Sequence, residues 1–245
     1  MRRALLALAL VTSPAWALEM ESGFTKETLT NDKPDWKSIY LEAAHDFAKR
    51  QTLYGGVRET ERFDFRDTEF AAGYYHPLTG QFTAQVEASH SPSHNVLPEN
   101  ALFAAGSWEL SKGWIASGGV RYNEYTDNDS RVLSAGIERY FGSYRAFYAL
   151  YNGKPQGGPS ASAQRLGLDF YYGEKSRLGA AVIWGREVEY VGPPTGIITS
   201  DVRAVSVYGR HWLTRAWAVS WEALRHQQGD LYTRSGVRLG LRHLF

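Results

Sequence analysis

Gln81–His90 reads QFTAQVEASH, and apolar and polar side chains alternate along it without a break. Phe82, Ala84, Val86 and Ala88 fall on one face, and Gln81, Thr83, Gln85, Glu87 and Ser89 on the other. A period of two marks an extended strand that is wet on one side, because successive Cβ atoms point to opposite faces. The pattern recurs along the chain. Trp114, Ala116, Gly118, Val120 and Tyr122 oppose Ser117, Gly119, Arg121 and Asn123, and Leu166, Leu168, Phe170 and Tyr172 oppose Arg165, Asp169 and Tyr171. Trp217, Val219, Trp221 and Ala223 oppose Ser220 and Glu222, while Val237, Leu239, Leu241 and Phe245 oppose Arg234, Arg238 and Arg242. Several of the apolar faces begin or end in Trp, Tyr or Phe, as membrane-interface girdles do. One segment is ambiguous: Trp36, Ile39, Tyr40, Ala43, Ala44 and Phe47 fit a helix face, while Ile39, Leu41, Ala43, His45 and Phe47 fit a strand.

Composition sets the limits. The 245 residues include 15 Tyr, 8 Trp and 24 Gly but 2 Met and no Cys, a balance that favours strands and tight turns over helices. Without cysteine there is no disulfide framework, thiolate metal site or cysteine nucleophile. With 27 Lys+Arg against 26 Asp+Glu, the chain has no broad basic surface for nucleic acid. A mean hydropathy of −0.39 excludes a bundle of membrane helices. It does not exclude a membrane β-barrel, in which every second strand residue faces a polar interior.

Residues 1–17 read as a signal peptide: Arg2 and Arg3, then the apolar run Ala4–Val11, then Ala15-Trp16-Ala17 as an A-x-A cleavage site. The mature barrel domain is expected over 18–245, exported to a bacterial outer membrane. Connections alternate in length. Short ones fall at 76–80, 111–113, 142–143, 173–175 and 213–215, and long ones at 91–100, 127–130, 153–162, 191–200 and 227–230. Short turns on one side and longer loops on the other describe an outer-membrane barrel with periplasmic turns. Thirteen strand segments follow from Trp36 onward, and Glu19–Leu29 supplies another before a polar loop at Thr30–Asp35. The reading is an all-β, closed antiparallel transmembrane barrel of about fourteen strands, with twelve as the alternative.

The chain resembles the YaiO-family outer-membrane β-barrels. The resemblance rests on Trp36-Lys37-Ser38 opening a strand, Val96-Leu97-Pro98 before a strand, and Gly113-Trp114 followed by Gly118-Gly119-Val120-Arg121-Tyr122. It rests also on Gly136-Ile137-Glu138-Arg139-Tyr140-Phe141-Gly142-Ser143-Tyr144-Arg145. Phe245, with hydrophobic residues at alternate positions before it, is similar to the signal read by the barrel-assembly machinery, although His243 stands where an aromatic or aliphatic residue is more usual. The resemblance implies a place and a shape, no catalytic residues, no cofactor, and a loose link to envelope polysaccharide.

The proposed lumen face holds Arg58, Arg62, Arg121, Arg145, Arg165, Arg234, Arg238 and Arg242 against Glu42, Asp46, Glu87, Glu138, Asp169 and Glu222. Such a mixed-charge interior either conducts polar or anionic solutes or fills the barrel with ion pairs. Fourteen strands lie between small filled barrels and the wide pores of about sixteen or more. Trp114, Trp184, Trp217 and Trp221 are the proposed interface anchors facing outer-membrane lipid. Three functions are in play: a non-enzymatic conduit, a closed structural or surface-interaction barrel, and an outer-membrane hydrolase using His90 or His94 in Ser89-His90-Ser91-Pro92-Ser93-His94. The last lacks an assigned acidic partner, and the two histidines lack a third metal ligand.

Overall fold

In lipid every backbone N–H and C=O must find a partner within the protein, so a sheet can cross only by closing on itself. The computed structural model, which describes residues 18–190 and 196–245, does so with fourteen strands. They are β1 (Leu18–Leu29), β2 (Trp36–Ala48), β3 (Gln51–Arg62), β4 (Phe65–Pro77), β5 (Phe82–His90), β6 (Asn100–Ser111) and β7 (Trp114–Glu124). There follow β8 (Ser130–Phe141), β9 (Tyr144–Pro155), β10 (Ala161–Tyr172), β11 (Ser176–Tyr190), β12 (Ile197–Trp212), β13 (Trp217–Gln228) and β14 (Tyr232–Leu244). Each strand pairs antiparallel with its sequence neighbours, and β1 pairs with β14 from Glu19↔Leu244 to Leu29↔Arg234. At the seam the Phe245 amide donates to the Leu18 carbonyl at 2.9 Å. The proposed signal peptide lies outside the described residues.

The ambiguous Trp36–Phe47 segment is strand. Ile39 and Leu41 point outward and are exposed, while Trp36 and Tyr40 point inward and are buried, which explains why both periodicities fitted. The end of the barrel that carries Leu18 and Phe245, here the turn end, is closed by short connections. The opposite, loop end departs from the expected pattern. Strands reach further than the loops anticipated: β9 runs to Pro155, and β12 begins at Ile197. Residues 191–195 of the expected loop lie outside the described set. β3 and β4 are joined at this end by Phe63 and Asp64 alone, both at positive φ (51° and 66°). That primed-type hairpin usually recruits Asn or Gly, which is why it left no sequence signal. Phe63 is held by an edge-on contact with Trp36, ring centroids 5.2 Å apart.

The longest described loop, 91–99, is latched to the rim. The buried Asp67 carboxylate accepts hydrogen bonds from the backbone N–H of Asn95 (3.0 Å), Val96 (2.7 Å) and Leu97 (2.9 Å), and from Asn95 Nδ2 (2.8 Å). The Val96-Leu97-Pro98 sequence therefore supplies two of the donors that anchor the loop.

Outward faces carry an apolar band edged with aromatics at the turn end. Phe141, Tyr144, Phe170, Tyr172 and His211 form a chain of ring contacts 5.2–5.8 Å apart across β8–β12. Towards the loop end, outward Lys37, Glu59, Glu61 and Arg66 pair at 3.1–3.4 Å, placing the lipid band below them. Inward faces use glycine to let side chains meet across an intervening strand. A Cβ on Gly240 of β14 would come within 2.7 Å of Tyr40, Ser220 and Glu21, and one on Gly179 of β11 within 2.7 Å of Asp169 and Tyr208.

Two predictions follow from the facing. Leu239 sits between Phe24 and Trp221 in the middle of the apolar band. Leu239→Arg should cost about 2–4 kcal/mol in equilibrium unfolding from lipid vesicles, and Leu241→Arg, nearer the turn end, should cost less. Gly240→Val should destabilise by about 1–3 kcal/mol through overpacking. Gly118→Val, whose outward Cβ would have only one atom in range, at 3.7 Å, should be near neutral in the same assay.

Candidate functional site: a charged lumen

The strand register sets Arg58, Arg121, Arg165, Arg234, Arg238 and Arg242 on the same face as Glu87, Glu138, Asp169 and Glu222, the face opposite the exposed apolar band. They gather into separate clusters. At the seam, the nearly fully buried Glu21 of β1 accepts from Tyr40 Oη (2.9 Å), Ser220 Oγ (2.8 Å) and Arg242 Nε (2.8 Å), and Arg242 also pairs with Glu19. Arg238 donates to Tyr40 Oη at 3.0 Å, lies 3.5 Å from Glu42 and stacks 4.1 Å over the Tyr40 ring. Arg58 completes this group, 3.5 Å from the same Glu42 oxygen.

A second cluster centres on Asp169, with no exposed surface, which accepts from Arg145 Nε and Tyr208 Oη, both at 2.8 Å. Arg145 also lies 3.4 Å from Glu138. A third joins Glu87 to Arg121 (2.9 Å) and Tyr54 Oη (2.8 Å), with Gln85 donating to Tyr54 at 2.7 Å. At the loop-end mouth, Arg234 pairs with Glu27 at 3.0 Å, and Arg62 and Arg234 both lie over Trp36. Buried carboxylates need several donors to offset desolvation, and these have them. Glu222 faces Arg238 in the register but makes no ion pair among the described residues, and Asp46 bonds Thr52. Glu19, Glu21, Glu27, Tyr40, Tyr54 and Tyr208 escaped the sequence reading. Glu21 lies on β1, whose outward face includes Ser22, Lys26 and Thr28 and so lacks a clean alternation.

The clusters divide the interior. A cavity of about 420 Å³ is lined by groups including Glu19, Glu69, Glu87, Arg58 and Arg121. Another of about 340 Å³ is lined by Arg145, Arg165, Arg177, Arg210, Tyr208 and Glu222 among others. Glu21, Glu42 and Arg242 line both, so the seam cluster stands between them. A smaller space of about 130 Å³ sits by Trp36, Tyr40 and Arg62.

Of the proposed anchors, Trp114 and Trp217 open their strands at the turn end, with Arg139 5.1 Å over the Trp114 ring. Trp184 and Trp221 also face outward but lie well inside theirs, Trp184 opposite Arg203 and Trp221 covering Gly209. Phe245 packs on His243, ring centroids 4.3 Å apart. Among the described residues, His90 and His94 do not assemble a nucleophile. His90 faces outward and bonds Asn100 at 2.9 Å. His94 meets the Ser91 carbonyl oxygen at 3.1 Å and Glu99 at 3.8 Å, while the buried Ser91 hydroxyl finds no partner among the described residues. Among the described residues, no three His, Asp or Glu side chains converge as metal ligands.

Comparison with known proteins agrees with this geometry. No curated protein sequence matches the chain. Solved structures resemble it in fold. One is an anion-selective porin from Comamonas acidovorans, at TM-score 0.50 and 10% identity over 94% of this chain and 99% of that one. A loop-deletion variant of OmpT, an outer membrane protein of Vibrio cholerae, aligns at TM-score 0.52 and 11% identity over 93% and 98%. Pseudomonas aeruginosa OccK7 aligns at 0.51 and 8% over 94% and 98%. At these identities the likeness establishes the barrel fold. The model of the YaiO membrane beta barrel domain matches residues 18–189, from β1 into β11, and the chain therefore belongs to the YaiO membrane β-barrel family.

Proposed function

We propose that this protein is a non-enzymatic conduit for polar solutes in the bacterial outer membrane, reached through a cleaved signal peptide at 1–17 and assembled by the machinery that reads the Phe245 strand. The observation that carries the reading is the interior itself: adjoining cavities of about 420 and 340 Å³ lined by charged groups. A barrel needing only to stand in the membrane has no use for unfilled space beside charges. Tyrosine faces next to arginines and carboxylates suit sugars, whose hydroxyls bond the charged groups while the rings lie on the aromatics. That lining and the family resemblance support envelope polysaccharide, or its fragments, as the solute.

The seam cluster favours a second reading. Arg58, Glu42, Arg238, Glu21 and Arg242 reach between the two larger cavities, as a plug would. Planar-bilayer recording decides. Refolded protein should give steady single-channel conductance, and Arg238→Ala, which trims the cluster, should raise it. Silence from folded wild type together with silence from the Arg238→Ala variant would leave the closed structural barrel.

A further inference from the structure

Among the described residues, three arginines on one wall of the lumen have no carboxylate within 4 Å. Six arginines but only three carboxylates line the cavity of about 340 Å³. Arg145, Arg238 and Arg242 each have a carboxylate within 4 Å, whereas Arg165, Arg177 and Arg210 have none among the described residues. Arg177 and Arg210 are moreover direct cross-strand partners on β11 and β12. Side chains so placed have Cβ atoms about 4.5–5.5 Å apart, and like charges there repel. The Nε atoms of Arg165 and Arg210 are buried and make no hydrogen bond among the described residues. Two of the three guanidiniums are nonetheless held in place, Arg165 5.3 Å over Phe147 and Arg177 5.5 Å over Tyr208.

We propose that Arg165, Arg177 and Arg210 form an anion-binding site that takes the carboxylate or phosphate of a small polar solute. Water in the cavity leaves the Arg177–Arg210 repulsion in place. An oxyanion between them offsets that repulsion and matches the planar donor geometry of guanidinium. The cavity lies at the small end of the range for ligand pockets, roughly 300–1,000 Å³. The cavity of about 340 Å³ has room for more than a bare oxyanion, so a solute that carries its charge on a polar body, such as a sugar acid, fits better than a bare ion. The site deepens the conduit reading by naming its solute class and rests on that reading for the solute's route, while binding itself requires no through-flow.

The test is calorimetric titration of the full refolded chain in detergent at low salt with glucuronate, inorganic phosphate and glucose. Glucuronate should bind and glucose should not. Arg177→Gln and Arg210→Gln should each weaken glucuronate roughly tenfold or more, the loss expected for one charged hydrogen bond. Each removes a repulsion, so folding, checked by heat-modifiable gel mobility, should survive. Arg203→Gln, outward opposite Trp184, should leave affinity unchanged. Phosphate binding as tightly as glucuronate would make this a plain oxyanion site, and weaker phosphate binding a sugar-acid site. Wild type that binds neither anion, or inner-wall variants that bind as wild type, would overturn it. Anion binding with silent bilayers would keep the site and discard the conduit, and conductance without anion binding would do the reverse.

Discussion

The β1–β14 seam is the constraint on which the rest depends. Thirteen of the fourteen strand pairings join sequence neighbours, and each could form as a local hairpin or meander. The seam instead joins residues at opposite ends of the sheet, such as Gly23 with Gly240. Without it, two edge strands would present unpaired amides to hydrocarbon, at a cost of several kcal/mol for each group. Closure also creates an inside. Once the ring is complete, side chains on one face of every strand leave the lipid, and charges that could not face hydrocarbon become usable. Glu21 shows the link, since its three donors come from β2, β13 and β14, which surround it only when the seam is closed.

The interior solves a problem of reach. Neighbouring strands lie about 4.8 Å apart, so most side-chain partners are found on adjacent strands. Several bonds here skip a strand: Ser220 to Glu21, Tyr208 to Asp169, and Tyr54 to Glu87. In each case a glycine, Gly240, Gly179 or Gly73, stands on the strand between and leaves the space. The charged groups are thereby drawn against the wall, and the interior stays partly open.

Much of this was legible because alternation is a local property, and each strand announces its two faces without reference to its neighbours. The facing of the arginines on β14 could be read from Val237, Leu239 and Leu241 alone. What could not be read are features set by the partner strand. Glu21 and Tyr40 matter through each other and through Ser220, which lie far apart in sequence. Arg177 and Arg210 look ordinary until the register sets them side by side. The Phe63–Asp64 turn hid because a contact with Trp36 takes the role that glycine usually fills. Trp184 and Trp221 were readable as outward but not in depth, because depth depends on strand tilt and stagger.

The glycine gaps also bear on how strands choose their stagger. A slip of one residue would turn a strand inside out, and burial forbids it. A slip of two keeps every face correct, so the apolar band alone cannot tell the right alignment from that neighbour. Moving β11 by two would bring Ala181 or Arg177 to the place of Gly179, between Asp169 and Tyr208, where even a methyl carbon does not fit. Gly179 therefore acts as a key, as Gly240 does on β14. Such keys fix the shear of the ring, and with it the barrel's diameter, through residues that contribute no contact of their own.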